Sequence, residues 1–433
     1  MTNRERSLGY IVFLSFVAAI GGILFGYDTA VISGTTEIVK AQFGLSTGLE
    51  GWFVGCALIG SIVGVMVAGM LSDFLGRKKT MLIAALMFSV SAIGCAVCGN
   101  FSQLVVYRMI GGFGIGVVSI VSPIYISEVA PAEKRGTLVS LYQLFITIGF
   151  LLAYLMNYLI LREAATDATG TELGTRMFNQ EYWRGMFGCE AIPDLLFLVL
   201  IFFIPESPRW LAIRGQRQDK SEEWKALREP GILKAVLVGS AIAILGQFMG
   251  VNAVLYYGPK IFQDAGLSGE GSMFSTVLVG VVNMLTTVIA LLIIDKVGRK
   301  QLVWWGVGGM IVCLLCIGTW FAVGTLPTWF LLTFFLLYVF CTAISISAVV
   351  FVLLSEMYPN RVRGLAMSIA GLALWVGTYL IGQLTPWMLE NLTPAGTFFL
   401  FAFCCLPYLY IMWKYIPETT GKTLEEIEAY WKK

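Results

Sequence analysis

The sequence contains no histidine and few charged residues. Of its 433 residues, only 13% are charged. The absence of histidine excludes histidine-ligated metal sites, catalytic triads that need an imidazole, and the usual switch near neutral pH. The sequence carries no enzyme motif, and we expect neither a metal nor a cofactor. Any proton exchange near neutral pH must therefore involve carboxyl groups.

Basic clusters with interleaved aromatic residues are also missing, and the formal net charge is only +2. A nucleic-acid partner is therefore not expected. Gly421–Thr423 reads GKT, but position 416 is Ile where a phosphate-binding loop needs Gly, which argues against an ATP-driven pump. Gly111–Gly116 reads GGFGIG within an apolar run, so we interpret these glycines as a place of close helix packing.

Cysteine is present but has no pattern that suggests chemistry. All nine cysteines lie in or beside apolar runs, and two pairs, Cys95–Cys98 and Cys313–Cys316, have the CxxC spacing. On apolar helices these pairs have no loop to fold around an ion. We interpret them as buried thiols.

Long apolar runs are what the sequence has in excess. Hydrophobic residues make up 58% of the chain, and the mean hydropathy is +0.80. A run of about 20 apolar residues crosses a hydrocarbon layer of about 30 Å. We predict an all-α integral membrane protein with twelve transmembrane helices, at residues 9–33, 51–72, 79–99, 102–125, 137–160, 184–204, 232–260, 273–294, 301–323, 329–354, 365–387 and 396–415.

Positive charges are distributed unevenly between the two sides of these spans. One side, which includes both termini, holds Arg77, Lys78, Lys79, Lys134, Arg135, Arg209, Arg214, Lys296, Arg299, Lys300, Arg361 and Arg363. The other side holds few: Lys40, Arg162, Arg176, Arg184 and Lys260. Because cytoplasmic loops are rich in Lys and Arg, we expect both termini to be cytoplasmic. We expect the membrane to be the cytoplasmic (inner) one.

Three motifs occur twice at nearly constant separation. SDFLGRKK at Ser72 pairs with IDKVGRKQ at Ile294, SEVAPAEKRG at Ser127 with SEMYPNRVRG at Ser355, and IPESPRW at Ile204 with IPETTGK at Ile416. This indicates a duplicated six-helix unit, a plan known among secondary transporters with a site at the interface of the halves. We predict an N-terminal bundle over 1–204, a cytoplasmic segment over 205–231, a C-terminal bundle over 232–415 and a tail, with a short amphipathic helix, over 416–433.

The repeated motifs lie at predicted cytoplasmic helix ends and combine acids with arginines. The acids are placed to pair with neighbouring arginines and to cap helix ends, closing an inner gate in one state. A constant anchor to the membrane surface is the alternative. The predicted gate residues are Asp73, Arg77, Glu128, Arg135, Glu206, Arg209, Asp295, Arg299, Glu356 and Arg363.

Ionisable residues in the interiors of the predicted spans occur only in the first half. They are Asp28, Arg108, Glu190 and Asp194, and such residues mark function by default. Span one adjoins span four in a compact half, so we predict that Asp28 pairs with Arg108. If protonation of Asp28 releases Arg108, which then turns to Glu190, proton binding depends on conformation. A permanent ion pair that never titrates is the alternative.

The second half carries amides in place of charges: Gln247, Asn252, Asn283 and Gln383. GQFMGVNAVLYYGP in span seven predicts a broken helix, because two glycines and a proline interrupt it. Such a break is needed for Gln247 and Asn252, five residues apart, to face one site. Amides suit a neutral polyhydroxyl solute, and Phe25, Tyr256, Tyr257 and Trp375 are candidates for stacking on a sugar ring, with helix packing as the alternative.

Several motifs together resemble the sugar porter family of the major facilitator superfamily. They are FGYDTAVISG, DFLGRKK, YRMIGGFGIG, SEVAPAEKRG, PESPRWL, DKVGRK, LLSEMYPNRVRG and PETTGKTLEE. The resemblance covers the whole chain and implies a major facilitator fold, alternating access, and a membrane-embedded monomer that carries a sugar and protons. It implies sugar-binding residues at Gln143, Gln247, Asn252, Tyr256, Asn283 and Trp375, and proton coupling through Asp28, Arg108 and Glu190.

The function implied is proton-coupled symport of a monosaccharide, either xylose or a hexose. A facilitative uniporter of the same fold is the alternative, followed by a sugar sensor that does not transport. Uniporters of this family typically lack the acid at position 28, so Asp28 favours symport.

The chain departs from the family pattern at a few positions. Gly246, Phe351, Leu374 and Phe150 stand where the family has a glutamine, a tryptophan, a polar residue and a further glutamine, and Asp194 is an extra acid. The segment between the halves is short, which indicates either a deletion or natural residues absent after about Gln216.

Overall fold

The structure is a computed structural model that describes residues 8–131, 134–164, 171–213, 221–359, 362–418 and 424–431. Within these ranges the chain is helical, without a strand. Twelve helical segments, from Leu8–Phe43 to Thr393–Lys414, are long and apolar enough to cross a membrane. The predicted class, an all-α protein with twelve spans, is confirmed.

The helices follow one another with short connections, and π-helical turns interrupt two of the segments. The elements are α1 (Leu8–Phe43), α2 (Thr47–Leu75), α3 (Arg77–Val97), α4 (Phe101–Val129), α5 (Arg135–Ala164), α6 (Glu172–Thr175), π1 (Arg176–Gln180), α7 (Trp183–Gly188), α8 (Ala191–Phe203), α9 (Pro208–Ile213), α10 (Ser221–Leu227), α11 (Pro230–Phe248), α12 (Val251–Asp264), α13 (Gly269–Val297), α14 (Arg299–Val323), α15 (Thr328–Thr342), π2 (Ala343–Ser347), α16 (Ala348–Met357), α17 (Arg363–Asn391), α18 (Thr393–Lys414) and α19 (Leu424–Trp431).

These elements form two compact units. Unit 1 comprises Met1–Gly44 and Cys56–Gln216, and unit 2 comprises Leu45–Gly55 and Arg217–Lys433. In unit 1, α1 packs against α4 and α5, and α3 packs against α4. In unit 2, α11 packs against α17, and α14 against α15 and α18. The segment predicted between the halves contains α9 and α10, while Gln216 lies outside the described residues.

Close packing of α2 on α4 in unit 1 depends on small residues. The Cα of Gly112 faces the carbonyl oxygen of Ala57 so closely that a Cβ would collide with it, and Gly116 faces Ser61 in the same way. The hydroxyl of Ser61 donates to the carbonyl oxygen of Gly112 at 3.0 Å. The interpretation of the GGFGIG run as a helix-packing surface is confirmed.

Large apolar side chains lie on the outside of many helices. Phe74, Ile192 and Leu292 are among the most exposed, a pattern that is unfavourable in water but suits contact with lipid.

All nine cysteines are free thiols, and Cys95, Cys98 and Cys313 are buried. Near the C-terminus, α19 buries Ile427 and Trp431, four residues apart, and exposes Glu426 and Tyr430, so the predicted amphipathic helix is confirmed.

Candidate functional site

A buried ion pair joins α1 and α4 in the core of unit 1. One guanidinium nitrogen of Arg108, Nη1, donates to Oδ1 of Asp28 and, at 3.2 Å, to the carbonyl oxygen of the same residue. The side chains of Asp28 and Arg108 are 1% and 2% exposed. A Cβ on Gly111 would lie 2.8 Å from Oδ2 of Asp28, so the glycine leaves room for the carboxylate. The predicted pairing of Asp28 with Arg108 is confirmed.

Glu190 and Asp194 extend this pair into a cluster. The amide of Asp194 donates to the carbonyl oxygen of Glu190 at 3.2 Å, so the two acids lie one helical turn apart. Both are buried and both interact electrostatically with Asp28. Within the described residues, Oε1 of Glu190 and both carboxyl oxygens of Asp194 have no hydrogen-bond partner. The ring of Phe187 lies 5.3 Å from the guanidinium carbon of Arg108.

The seventh span is broken, as its sequence predicts. Helix α11 ends at Phe248 and α12 begins at Val251. Between them Gly250 adopts φ +88°, a left-handed conformation that a residue with a Cβ enters only at a cost. The hydroxyl of Tyr338 donates to the carbonyl oxygen of Met249 at 2.7 Å, which satisfies a backbone acceptor freed by the break.

This break brings two predicted amides together in unit 2. The side-chain nitrogen of Asn252 donates to Oε1 of Gln247 at 2.6 Å. The hydroxyl of Thr378 on α17 shares its proton between the same oxygen, at 3.1 Å, and the carbonyl oxygen of Leu374, at 2.9 Å. The sequence analysis missed Thr378; its position, three residues after Trp375 on one helix face, is the pattern that points to it.

The other predicted sugar-binding residues are spread over several elements. Tyr256 on α12 and Trp375 on α17 are buried, whereas Asn283 on α13 is half-buried. In unit 1, Gln143 on α5 and Phe25 on α1 are half-buried. Tyr257, expected as a stacking candidate, is 1% exposed, and its hydroxyl donates to the carbonyl oxygen of Gly382 at 2.8 Å. The helix-packing alternative therefore holds for Tyr257.

The repeated motifs of unit 1 assemble into one charged cluster at the junction of α2 and α3. Nε and Nη2 of Arg77 each donate to a carboxylate oxygen of Glu128 at 3.0 Å. Glu206 accepts from the backbone amides of Arg77 at 2.8 Å and of Lys78 at 3.0 Å, and so caps α3. Asp73 lies 3.4 Å from Arg77 and is 49% exposed, a weaker contact. Arg209 is exposed on α9, outside this cluster.

Unit 2 repeats this arrangement with the equivalent residues. Arg299 donates to Glu356 at 3.0 Å, and Glu418 accepts from the backbone amides of Arg299 and Lys300 at 3.2 Å each. Arg363, a predicted gate residue, instead donates to the carbonyl oxygen of Tyr358 at 3.3 Å. The side chains of two further predicted gate residues, Arg135 and Asp295, lie outside the described part of the chain.

Two polar contacts escaped the sequence analysis. In unit 2, Nζ of Lys260 lies 2.9 Å from Oε1 of Glu50, which is fully buried, and Nε2 of Gln383 donates to the carbonyl oxygen of Gly48 at 3.0 Å. These contacts lie within unit 2, to which the first turns of α2 belong. Their partners are distant in sequence, and no motif marks them.

The sequence analysis also missed a polar cluster around Glu181 in unit 1. Arg176 and Arg184 each donate to Oε2 of Glu181 at 2.7 Å, and Gln42 donates to Oε1. Partial burial raises the pKa of Glu181, but the hydrogen bonds from Arg184, Arg176 and Gln42 outweigh it and lower the pKa to about 2. Arg184 also donates to the carbonyl oxygen of Cys98 at 2.7 Å, which ties α7 to the end of α3.

Comparison with known proteins finds relatives along the whole chain. The family described as "Sugar (and other) transporter" matches residues 14–230 and 217–431. The chain is 36% identical over 460 residues to the arabinose-proton symporter of Bacillus subtilis (strain 168), covering 100% of this chain and 97% of the relative. It is 36% identical over 488 residues to the D-xylose-proton symporter of Escherichia coli (strain K12), covering 99% of this chain and 97% of the relative.

A solved structure is similar in fold as well as in sequence. The inward-open conformation of the xylose transporter XylE from E. coli superposes with a TM-score of 0.82 at 37% identity, covering 98% of this chain and 100% of that one. The similarity extends through both halves, and the twelve spans correspond to a major facilitator fold. The chain therefore belongs to the family of sugar and other transporters and is a membrane transporter, not an enzyme.

Proposed function

We propose that this protein is a symporter that carries a monosaccharide together with protons by alternating access, in the cytoplasmic membrane and with both termini in the cytoplasm. The relatives named as arabinose-proton and D-xylose-proton symporters support this function. The concentration of Lys and Arg on the side of the termini supports the orientation. The protein functions as a monomer surrounded by lipid.

The observation that carries the proposal is the buried Asp28–Arg108 pair in unit 1. A carboxylate buried beside a guanidinium stays ionised, but it takes up a proton once the guanidinium moves away. Protonation of Asp28 and release of Arg108 toward Glu190 thus couple proton binding to conformation. A permanent ion pair lacks this property, so the two interpretations differ in whether Asp28 ever gains a proton.

The sugar-binding residues proposed for unit 2 are centred on Gln247. Its carbonyl oxygen is occupied by Asn252 and Thr378, which orients the amide nitrogen as a donor for a sugar hydroxyl. Two donors that hold one oxygen also fix the side-chain rotamer before the sugar arrives, which lowers the entropic cost of binding. Tyr256, Asn283, Trp375, Gln143 and Phe25 complete the proposed set.

The charged clusters at the helix ends are proposed as the cytoplasmic gate. Arg77, Glu128 and Glu206 in unit 1, with Arg299, Glu356 and Glu418 in unit 2, hold helix ends by buried or half-buried ionic hydrogen bonds. Such contacts are suited to forming in one state and separating in the other. A constant anchor to anionic lipid would need exposed arginines, and Arg77 is only 8% exposed.

The experiment that tests the function is uptake into proteoliposomes with an imposed pH gradient, run with xylose, arabinose and glucose. The wild-type protein should accumulate at least one of these sugars when the gradient is present. Asp28→Asn should still bind that sugar and exchange it, but should not accumulate it. Labelled sugar entering without any effect of the gradient would refute symport and favour a facilitative uniporter, and binding without entry would favour a sensor.

A further inference from the structure

Asp194 is a buried acid that the coupling pair does not use. It is 0% exposed, and within the described residues neither of its carboxyl oxygens has a hydrogen-bond partner. On the same helix, Ile192, Leu195 and Leu196 are exposed and face the surroundings of the bundle. Asp194 therefore lies on the inward face of α8.

The titratable and charged groups around Asp194 come from every helix packed against it. Helix α8 packs against α1 and α3. Tyr27 and Asp28 interact with Asp194 from α1, and Glu190 lies one turn before it on its own span. Asp28 in turn interacts with Arg108 of α4 and with Cys95 of α3. Among these groups Arg108 is the one cation.

The charge balance of this cluster requires bound protons. Three carboxyl groups, Asp28, Glu190 and Asp194, share the one guanidinium of Arg108, which is already bound to Asp28. An ionised carboxylate with neither a cation nor a hydrogen-bond donor is so unfavourable in an apolar interior that it takes up a proton instead. Glu190 interacts with Arg108 and is placed to replace Asp28 beside it. Asp194 interacts electrostatically with Asp28, on a helix that packs against the helix of Asp28.

We propose that Asp194 is a proton-relay residue: it holds a proton while Asp28 is bound to Arg108 and transfers it to Asp28 when that pair opens. The inference rests on the proposed coupling through Asp28. In the transfer, the O–H bond of Asp194 breaks and an O–H bond forms on Asp28, directly or through a water molecule. The carboxylate left on Asp194 balances Arg108 while Asp28 is protonated, and it takes a proton from solvent again when Asp28 loses its own proton and binds Arg108 again. One proton thus enters from solvent for each proton loaded onto Asp28.

The test compares proton-driven uptake with sugar counterflow at equal pH in proteoliposomes, using labelled xylose. Asp194→Asn keeps the shape of the neutral acid but cannot give up a proton in this way. Its initial rate of proton-driven uptake should fall about tenfold or more, while counterflow, which needs no net proton movement, should stay within about twofold of wild type. Asp194→Glu should restore proton-driven uptake. Cys189→Ala, on the same span, is the matched control and should leave both rates unchanged.

Infrared spectroscopy of the purified protein gives a readout independent of transport. Wild type at neutral pH should show a carbonyl band of a protonated carboxylic acid that is lost in Asp194→Asn. Proton-driven uptake equal to wild type, an equal fall in uptake and counterflow, or an unchanged band would each overturn the relay. Wild-type protein that does not respond to the pH gradient would instead refute the proposed symport. A functioning wild type with an unaffected Asp194→Asn would refute the relay alone.

Discussion

The two units share one charged cluster but differ in their cores. In both, an arginine after a glycine binds a glutamate from a later helix, and a second glutamate caps the arginine's helix. The core of unit 1 holds the Asp28–Arg108 pair with two further acids, whereas that of unit 2 holds the Gln247–Asn252–Thr378 network. The contacts at the helix ends are therefore alike in the two units, whereas the chemistry of the cores differs.

The shared cluster has a backbone requirement that explains why its motif is repeated. Gly76 has φ +97° and Gly298 has φ +98°, and each directly precedes the arginine that begins the next helix. Residues with a side chain rarely adopt this backbone conformation. The turn directs the backbone amides of the next two residues at the capping glutamate. The glycine, the arginine and the glutamate therefore form one helix-capping unit.

The largest effect is expected from breaking the charge pair of unit 1. Arg108→Gln leaves Asp28 buried without a cation and should lower the free energy of unfolding by about 3–5 kcal/mol. Adding Asp28→Asn should recover much of the loss, because no unpaired charge remains. Denaturant titration of the detergent-purified protein, followed by tryptophan fluorescence, measures both. A double variant no more stable than the single one would contradict this account.

A substitution in the core of unit 2 should affect sugar binding more than it affects the free energy of unfolding. Gln247→Ala removes the proposed donor to the sugar and should weaken binding by about 1–3 kcal/mol, which is roughly 5- to 150-fold in Kd. Equilibrium dialysis with labelled xylose, arabinose and glucose measures the change. Gln301→Ala, which truncates an exposed amide on α14, is the matched control. Unchanged affinity in Gln247→Ala would move the sugar site away from this network.

A smaller effect on the free energy of unfolding should distinguish the two copies of the charged cluster at the helix ends. Lysine cannot reproduce the two parallel hydrogen bonds that Arg77 makes with Glu128, and Glu128 is 5% exposed whereas Glu356 is 25% exposed. Arg77→Lys should therefore cost about 1–2 kcal/mol of unfolding free energy, and Arg299→Lys less, since solvent weakens exposed ionic contacts. Equal costs in denaturant titrations would show that burial does not distinguish the copies.

The smallest effect concerns the Glu181 cluster, which has no described counterpart in unit 2. Because folding lowers the pKa of Glu181 from 4.5 to about 2, its carboxylate stabilises the folded state fully above pH 4.5 and progressively less as the pH falls toward 2. The difference in melting temperature between wild type and Glu181→Gln should shrink over this window. Glu270→Gln, which removes an exposed acid, is the control. A difference in melting temperature that grows as the pH falls would contradict the lowered pKa of Glu181.

Local and periodic features could be predicted from the sequence. The length and apolarity of the runs predict twelve spans, because a membrane core accepts only helices that satisfy their own backbone groups. The glycines around Met249 predict the break in span seven. The pairing of Asp28 with Arg108 was predictable because a buried acid needs a cation and few are available within the spans.

Contacts that depend on helix rotation could not be predicted. Thr378 reaches Gln247 and Tyr257 turns to Gly382 only because α17 presents particular faces to α11 and α12. Lys260 meets Glu50 across a long stretch of sequence.

The sequence by itself determined that this chain spans a membrane twelve times, that three motifs recur in its two halves, and that the acids in the span interiors lie in the first half. These properties follow from composition, spacing and the high cost of burying polar groups in lipid. The tertiary structure alone decided which polar groups meet. Only packed helices bring Asp194 within electrostatic reach of Asp28 and place two donors on one oxygen of Gln247, because such interactions depend on how each helix is rotated and how closely its small residues let it approach the next.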